Sequence, residues 1–142
     1  RGMDEVVNHT KGTARASAIA EEGWQMGGKT GTAQVRRISK AERESGIRKG
    51  EDIAWRLRDH ALFVGFAPVH KPRYAVSVVV EHGGGGSAVA APIARDITLE
   101  ALYRGTPPLD AYPTGDRGRI KAQQERLERE RQARDGHSGS RA

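Results

Sequence analysis

Two short apolar runs constrain the fold of this chain more than any other feature. Ala61-Leu62-Phe63-Val64-Gly65-Phe66-Ala67 stops at Pro68, and Tyr74-Ala75-Val76-Ser77-Val78-Val79-Val80 is dense in β-branched residues. Val69 to Arg73 lies between them, carries Pro72 and reads as a turn. So short a connection predicts an antiparallel hairpin. A third strand-like segment, Trp24 to Val35, is β-rich at both ends and has Gly27, Gly28 and Gly31 in its middle. Glycine inside a strand marks a close backbone approach. Met3, Val6 and Val7 follow helical spacing and predict the end of a helix over residues 2–8. Pro92 suits a first helical turn, and Ile93, Ala94, Ile97, Ala101 and Leu102 form a stripe that predicts a helix over about 91–104 packed on the sheet. The order is helix, strand, strand, strand, helix around one core, an α/β arrangement that includes an antiparallel hairpin.

Composition limits the rest. The chain has 142 residues, no cysteine and a net charge of +6. Without cysteine there are no disulfides, thiolate nucleophiles or cysteine-based zinc sites. The charge divides evenly between residues 1–115 and 116–142, with both signs interspersed, and aromatic residues make up 5%. Nucleic-acid binding calls for a clustered basic face with stacking aromatics, so no nucleic-acid partner is expected. No apolar run approaches the roughly 18 residues that cross a bilayer, and no signal-peptide pattern is present. The chain begins at Arg1 rather than Met, and the expectation is a fragment or a processed product. Residues 1–104 read as the folded body. Residues 105–142 read as a Pro-rich linker, GTPPLDAYPTGD, that stays off the core, followed by a solvated charged tail, disordered or transiently helical. Residues 36–52 read as a charged, solvated connection between strands.

Gly23 to Thr30 matches G-x-x-x-x-G-K-[ST], the phosphate-binding loop pattern. That motif needs a buried strand before its first glycine and a helix beginning at its Lys-Thr. Glu21-Glu22 and Thr30-Gly31-Thr32 supply neither. The same residues make a good ligand-binding edge. Lys29 offers a cation. Thr30 and Thr32, two apart, put their hydroxyls on one face of a strand. Gly31 between them lets another backbone come close. Such an edge suits an extended peptide ending in a carboxylate, added as a further strand.

Lys29-Thr30-Gly31 is also the K-T-G element of penicillin-binding proteins and serine β-lactamases. Gly28 to Val35, GKTGTAQV, resembles the class B penicillin-binding proteins, with Gly12-Thr13-Ala14 in the place of a short turn upstream. Leu57-Arg58-Asp59-His60-Ala61, then Phe66-Ala67-Pro68, and Glu81-His82 with Gly83 to Gly86 resemble the elongation-specific members. The resemblance spans about residues 2–104. It implies a serine β-lactamase/transpeptidase-like fold, of which this chain holds the C-terminal antiparallel strands and flanking helices of an incomplete domain. It implies a D,D-transpeptidase that cross-links peptidoglycan through a serine acyl-enzyme at the periplasmic face of the bacterial inner membrane, without a cofactor. Implied partners are a stem peptide ending in D-Ala-D-Ala, β-lactam antibiotics, a SEDS-family glycosyltransferase and elongation-complex proteins. Lys29 would place positive charge near the serine and the substrate carboxylate. Thr30 and Thr32 would hydrogen-bond that carboxylate, with Gly31 between them. The Thr32 backbone N–H would supply half of the oxyanion hole.

The family's nucleophile lies in S-x-x-K and a second element in S-x-N. No serine here has Lys at i+3 or Asn at i+2. Both elements are therefore expected before Arg1, and the isolated chain is expected to be inactive. A non-catalytic penicillin-recognising sensor or binding domain of the same fold is the alternative. His9, His60, His70 and His82 lack metal-ligand spacing, and no metal site is expected. Asp59-His60 reads as a surface or structural pair rather than an acid–base pair, because strand neighbours face opposite ways. Gly83 to Gly86 lacks the spacing of a dinucleotide fingerprint and reads as a flexible connection.

Overall fold

The structure, a computed structural model, describes residues 1–37, 40–46 and 53–138. Its centre is a three-stranded antiparallel sheet. β1 (Gly27–Ala33) pairs with β2 (His60–Ala67), and β2 pairs with β3 (Tyr74–Val80). All three strands fall where the residue pattern puts them, and the hairpin is the β2–β3 pair.

The register decides which side chains share a face. Thr30 stands opposite Phe63 and Phe63 opposite Val78, while Lys29 stands opposite Val64 and Val64 opposite Ser77. Directly opposed residues point the same way. In β2 the alternation is clear: Ala61, Phe63, Gly65 and Ala67 are buried, and Val64 is exposed. Phe63 fills the centre of the buried face. Its ring occupies the space a side chain on Gly28 would need, and a Cβ on Gly65 would come within 2.8 Å of it. The glycines at 28 and 65 are thus holes into which one aromatic ring fits.

α1 (Gly2–Asn8) lies against the start of β1. Asn8 ties them, donating through Nδ2 to the Met26 carbonyl at 3.0 Å and to Asp4 at 2.7 Å. α2 (Lys40–Ser45) interrupts the charged connection after β1; residues 38–39 and 47–52 of that connection lie outside the described residues. Residues 86–90 make a π-helical turn that leads into α3 (Ala91–Tyr103). α3 packs on β2 and β3, and Arg104 ends it in the left-handed conformation at φ 54°.

The helix lies where expected, but its buried face differs from the expected stripe. Ala94 and Leu102 are buried, whereas Ile93 and Ile97 are 40% and 50% exposed. The true inner face is Ala91, Ala94, Arg95, Thr98, Leu99 and Leu102. Two polar residues hide in it because each has partners. Thr98 donates its hydroxyl to the Ala94 carbonyl at 2.7 Å. Arg95 donates from Nε to Asp96 Oδ1 at 2.8 Å and from Nη1 to Asp116 Oδ2. Its Nη2 sits 2.7 Å from the same Asp96 oxygen as an ion-pair contact, without hydrogen-bond geometry of its own.

The Pro-rich run does not stay off the core. Pro107, Ala111 and Tyr112 are buried. The Ala111 carbonyl accepts the Ala20 N–H at 2.8 Å, and the Tyr112 ring lies under the Arg95 guanidinium at 5.3 Å. Tyr112 thus covers Arg95 of α3, and Ala111 ties the run to the segment before β1. α4 (Arg117–Ser138) follows. Ile120 anchors its first turn in the core, Gln124 donates to the Pro107 carbonyl at 2.9 Å, and the helix beyond is charged on every side.

Candidate active-site edge

The tetrapeptide Lys29-Thr30-Gly31-Thr32 lies within β1, in the extended conformation. No helix begins there, which removes the phosphate-loop reading. β1 is an outer strand: among the described residues, one side pairs with β2 and no strand pairs with the other. Lys29 and Thr32 are exposed, and Thr30 and Gly31 are half-buried. Thr30 opposes Phe63 and Thr32 opposes Ala61, so both hydroxyls belong to the face that β2 turns inward. Lys29 starts on the other face, and its Nζ donates to the Thr30 carbonyl at 2.7 Å.

Gly31 is closed in from two directions. A Cβ there would meet Leu62 Cβ at 3.3 Å. The backbone at Gly86 comes down on it, and a side chain on Gly86 would collide with the Gly31 and Leu62 carbonyl oxygens. The end of the glycine-rich loop, at Gly86, is therefore packed onto β1, where the sequence suggests a flexible connection.

Sequence reasoning also missed a cluster beside the end of β1. Val35 donates its N–H to Asp59 Oδ1 at 3.1 Å. His82 donates its N–H to His60 Nδ1 at 2.9 Å, and the two rings lie 4.8 Å apart. The Trp55 ring lies tilted against His82, 4.5 Å between centroids. The side-chain hydrogen bonds of Asp59 and His60 agree with the structural half of the expectation for that pair. Nothing in the spacing points to Val35 or His82 as partners. Among the described residues no cluster of three or more His, Cys, Asp or Glu forms that could hold a metal.

Comparison with known proteins places the chain. The family model described as the penicillin binding protein transpeptidase domain matches residues 1–99. The chain belongs to this penicillin-binding transpeptidase family. Its relatives include the peptidoglycan D,D-transpeptidase MrdA of Haemophilus influenzae, 39% identical over 114 residues, which are 79% of this chain and 16% of that protein. MrdA of Escherichia coli K12 is 42% identical over 88 residues, 62% of this chain and 13% of that protein. Among solved structures, the penicillin-binding protein PBP2 of Helicobacter pylori, determined in complex with MreC, has a TM-score of 0.53 at 34% identity, covering 72% of this chain and 16% of that one. PBP2 of Pseudomonas aeruginosa, in complex with WCK 5153, has a TM-score of 0.50 at 40% identity, covering 70% and 18%. The mixed helix-and-strand fold with an antiparallel sheet agrees with these neighbours. The chain spans less than a fifth of the length of the relatives it matches. No helix among the described residues is long and apolar enough to cross a membrane.

Proposed function

We propose that this chain is the substrate-gripping part of a peptidoglycan D,D-transpeptidase, with Lys29, Thr30, Gly31 and Thr32 as the edge that holds the stem peptide. The observation that carries this reading is the position of the tetrapeptide: extended, on an outer strand, inside the segment that matches the transpeptidase family. The relatives' names favour the enzyme over a non-catalytic sensor. Residues 1–104 are taken as the C-terminal portion of the transpeptidase domain, and residues 105–142 as an appendage to it.

The chemistry is the one that the family resemblance implies. A stem peptide ending in D-Ala-D-Ala lies along β1 as an added strand. Its terminal carboxylate accepts hydrogen bonds from the Thr30 and Thr32 hydroxyls, with the Lys29 ammonium nearby to offset the charge. A serine oxygen, from residues other than these 142, attacks the carbonyl carbon of the penultimate D-Ala. Negative charge collects on the carbonyl oxygen, and the Thr32 N–H donates to it as half of the oxyanion hole. The C–N bond then breaks, and the terminal D-Ala leaves as an amine, taking the proton that the serine lost. An amine of a neighbouring stem peptide attacks the acyl-enzyme and restores the serine. Splitting one difficult step in two is the advantage of covalent catalysis. β-Lactams, with a carboxylate beside a strained amide, acylate the same serine. The setting for this reaction is the periplasmic face of the inner membrane, with a SEDS-family glycosyltransferase and elongation-complex proteins as partners.

Thr32→Val in the intact protein tests the edge. It removes a hydroxyl bonded to a charged group, an interaction worth about 1.5–3 kcal/mol. Acylation by a fluorescent penicillin should slow about tenfold or more, since each 1.4 kcal/mol is roughly a factor of ten. Unchanged labelling kinetics overturn the assignment.

A further inference from the structure

Arg58, Asp59 and His60, where β2 begins, hold two other stretches of chain. The Asp59 carboxylate accepts the Val35 N–H at 3.1 Å. The Asp59 carbonyl accepts the Gly84 N–H at 2.8 Å. His60 Nδ1 accepts the His82 N–H at 2.9 Å, and His82 Nδ1 lies 3.0 Å from the Arg58 carbonyl. These contacts assign the ring protons. A carbonyl can only accept, so His82 carries hydrogen on Nδ1. His60 Nδ1 receives a hydrogen bond and is bare. His82 has φ 56°, in the left-handed region that few side chains adopt without support. Its ring lies tilted against those of both His60 and Trp55.

Both stretches bear on the same part of β1. The β1–β2 ladder ends at the Ala33–His60 pair, and Val35 lies two residues beyond it. A strand end frays when its next N–H lacks an acceptor. The Asp59 carboxylate supplies one and holds the departing chain to β2. The loop that His60 and Asp59 secure ends at Gly86, whose backbone rests on Gly31. Gly31 and Thr32 are thus braced from the exit of the strand and from the loop above it, and both braces begin at Asp59 and His60.

We propose that Asp59 and His60 are positioning residues for the substrate edge: together they fix the Gly31–Thr32 backbone where its N–H must meet the reacting carbonyl oxygen. This rests on the reading of Lys29 to Thr32 given above. The test uses the intact protein that carries this chain. Asp59→Ala and His60→Ala should each lower the rate constant for acylation by a fluorescent penicillin about tenfold or more, because a displacement of roughly 1 Å at a reacting group can cost on the order of 100-fold. Asp59→Asn keeps an acceptor oxygen, and His60→Asn keeps an acceptor near the Nδ1 position, so both restore most of the rate. Amide hydrogen exchange over residues 31–35 quickens in the alanine variants and not in the asparagine ones. Wild-type rates in both alanine variants overturn the proposal. So does a loss that the asparagine variants share and that follows thermal stability. Thr32→Val separates the two readings. If it slows acylation while Asp59→Ala does not, the brace is wrong and the edge stands. If it leaves acylation unchanged, the edge falls and the brace with it.

Discussion

Gly28 has no side chain because Phe63 needs the space. A methyl group at that position would overlap the far end of the Phe63 ring, which is fully buried and has nowhere to go. Overpacking of this kind costs about 1–3 kcal/mol, so Gly28→Ala should lower the midpoint of thermal or denaturant unfolding. Phe63→Leu in the same background should give part of that back, because two residues in contact do not contribute additively. Additive losses would mean that the ring does not fill the glycine's space. A second single-residue effect concerns Tyr112. Burial, the largest cause, and the nearby Asp96 push its phenol from an ordinary value near 10 up to about 12, against the opposing pull of Arg95. The folded state therefore keeps this proton through a range in which the unfolded chain has lost it. Its contribution to stability is complete below about pH 10 and is lost as pH rises toward 12. Denaturant midpoints measured across that range should fall less steeply in Tyr112→Phe than in the wild type. Parallel curves would contradict the assignment.

At the level of elements, α3 and the segment after it show what a residue pattern can and cannot reveal. The three strands and the first and third helices were legible, because each carries its own periodicity and breakers. The inward face of α3 was only half legible. Arg95 and Thr98 look like surface residues, and their burial depends on partners that spacing does not reveal. Asp116 is one of them, twenty-one residues away. For the same reason the packing of the Pro-rich run is not legible: its prolines mark a break, but Tyr112 has Arg95 to cover only once α3 exists. Arg95, Asp96, Asp116 and Arg119 form one network, with Arg119 3.7 and 3.8 Å from the two carboxylates. Removing Asp116 leaves a buried guanidinium short of a partner. A hydrogen bond to a charged group contributes about 1.5–3 kcal/mol, and the partial exposure of Asp116 places the loss toward the lower end. Asp116→Ala should therefore speed amide exchange over residues 107–124 while leaving β2 and β3 protected. Uniform protection throughout would mean that the network does not hold the segment in place.

Across the whole molecule, apolar surface remains uncovered on both sides of the sheet. Val64 and Val79, 46% and 60% exposed, lie on the face opposite Phe63, and Ile93 and Ile97 lie on the outward side of α3. Among the described residues the outer edges of β1 and β3 are also unpaired. A fold reading based on periodicity could place each of these residues in an element, yet it had no means of saying which faces would find cover, because cover is a property of the assembled layers. Open strand edges beside apolar surface are templates for pairing with another chain. A polypeptide consisting of these 142 residues should accordingly self-associate as its concentration rises, with a growing average mass in light scattering. Val79→Lys adds a charge to the exposed sheet face, and Ile97→Lys does so on α3. Each should reduce that growth without lowering the unfolding midpoint, since neither side chain is part of the core. A constant monomer mass from micromolar to millimolar concentration would show that these faces do not attract one another.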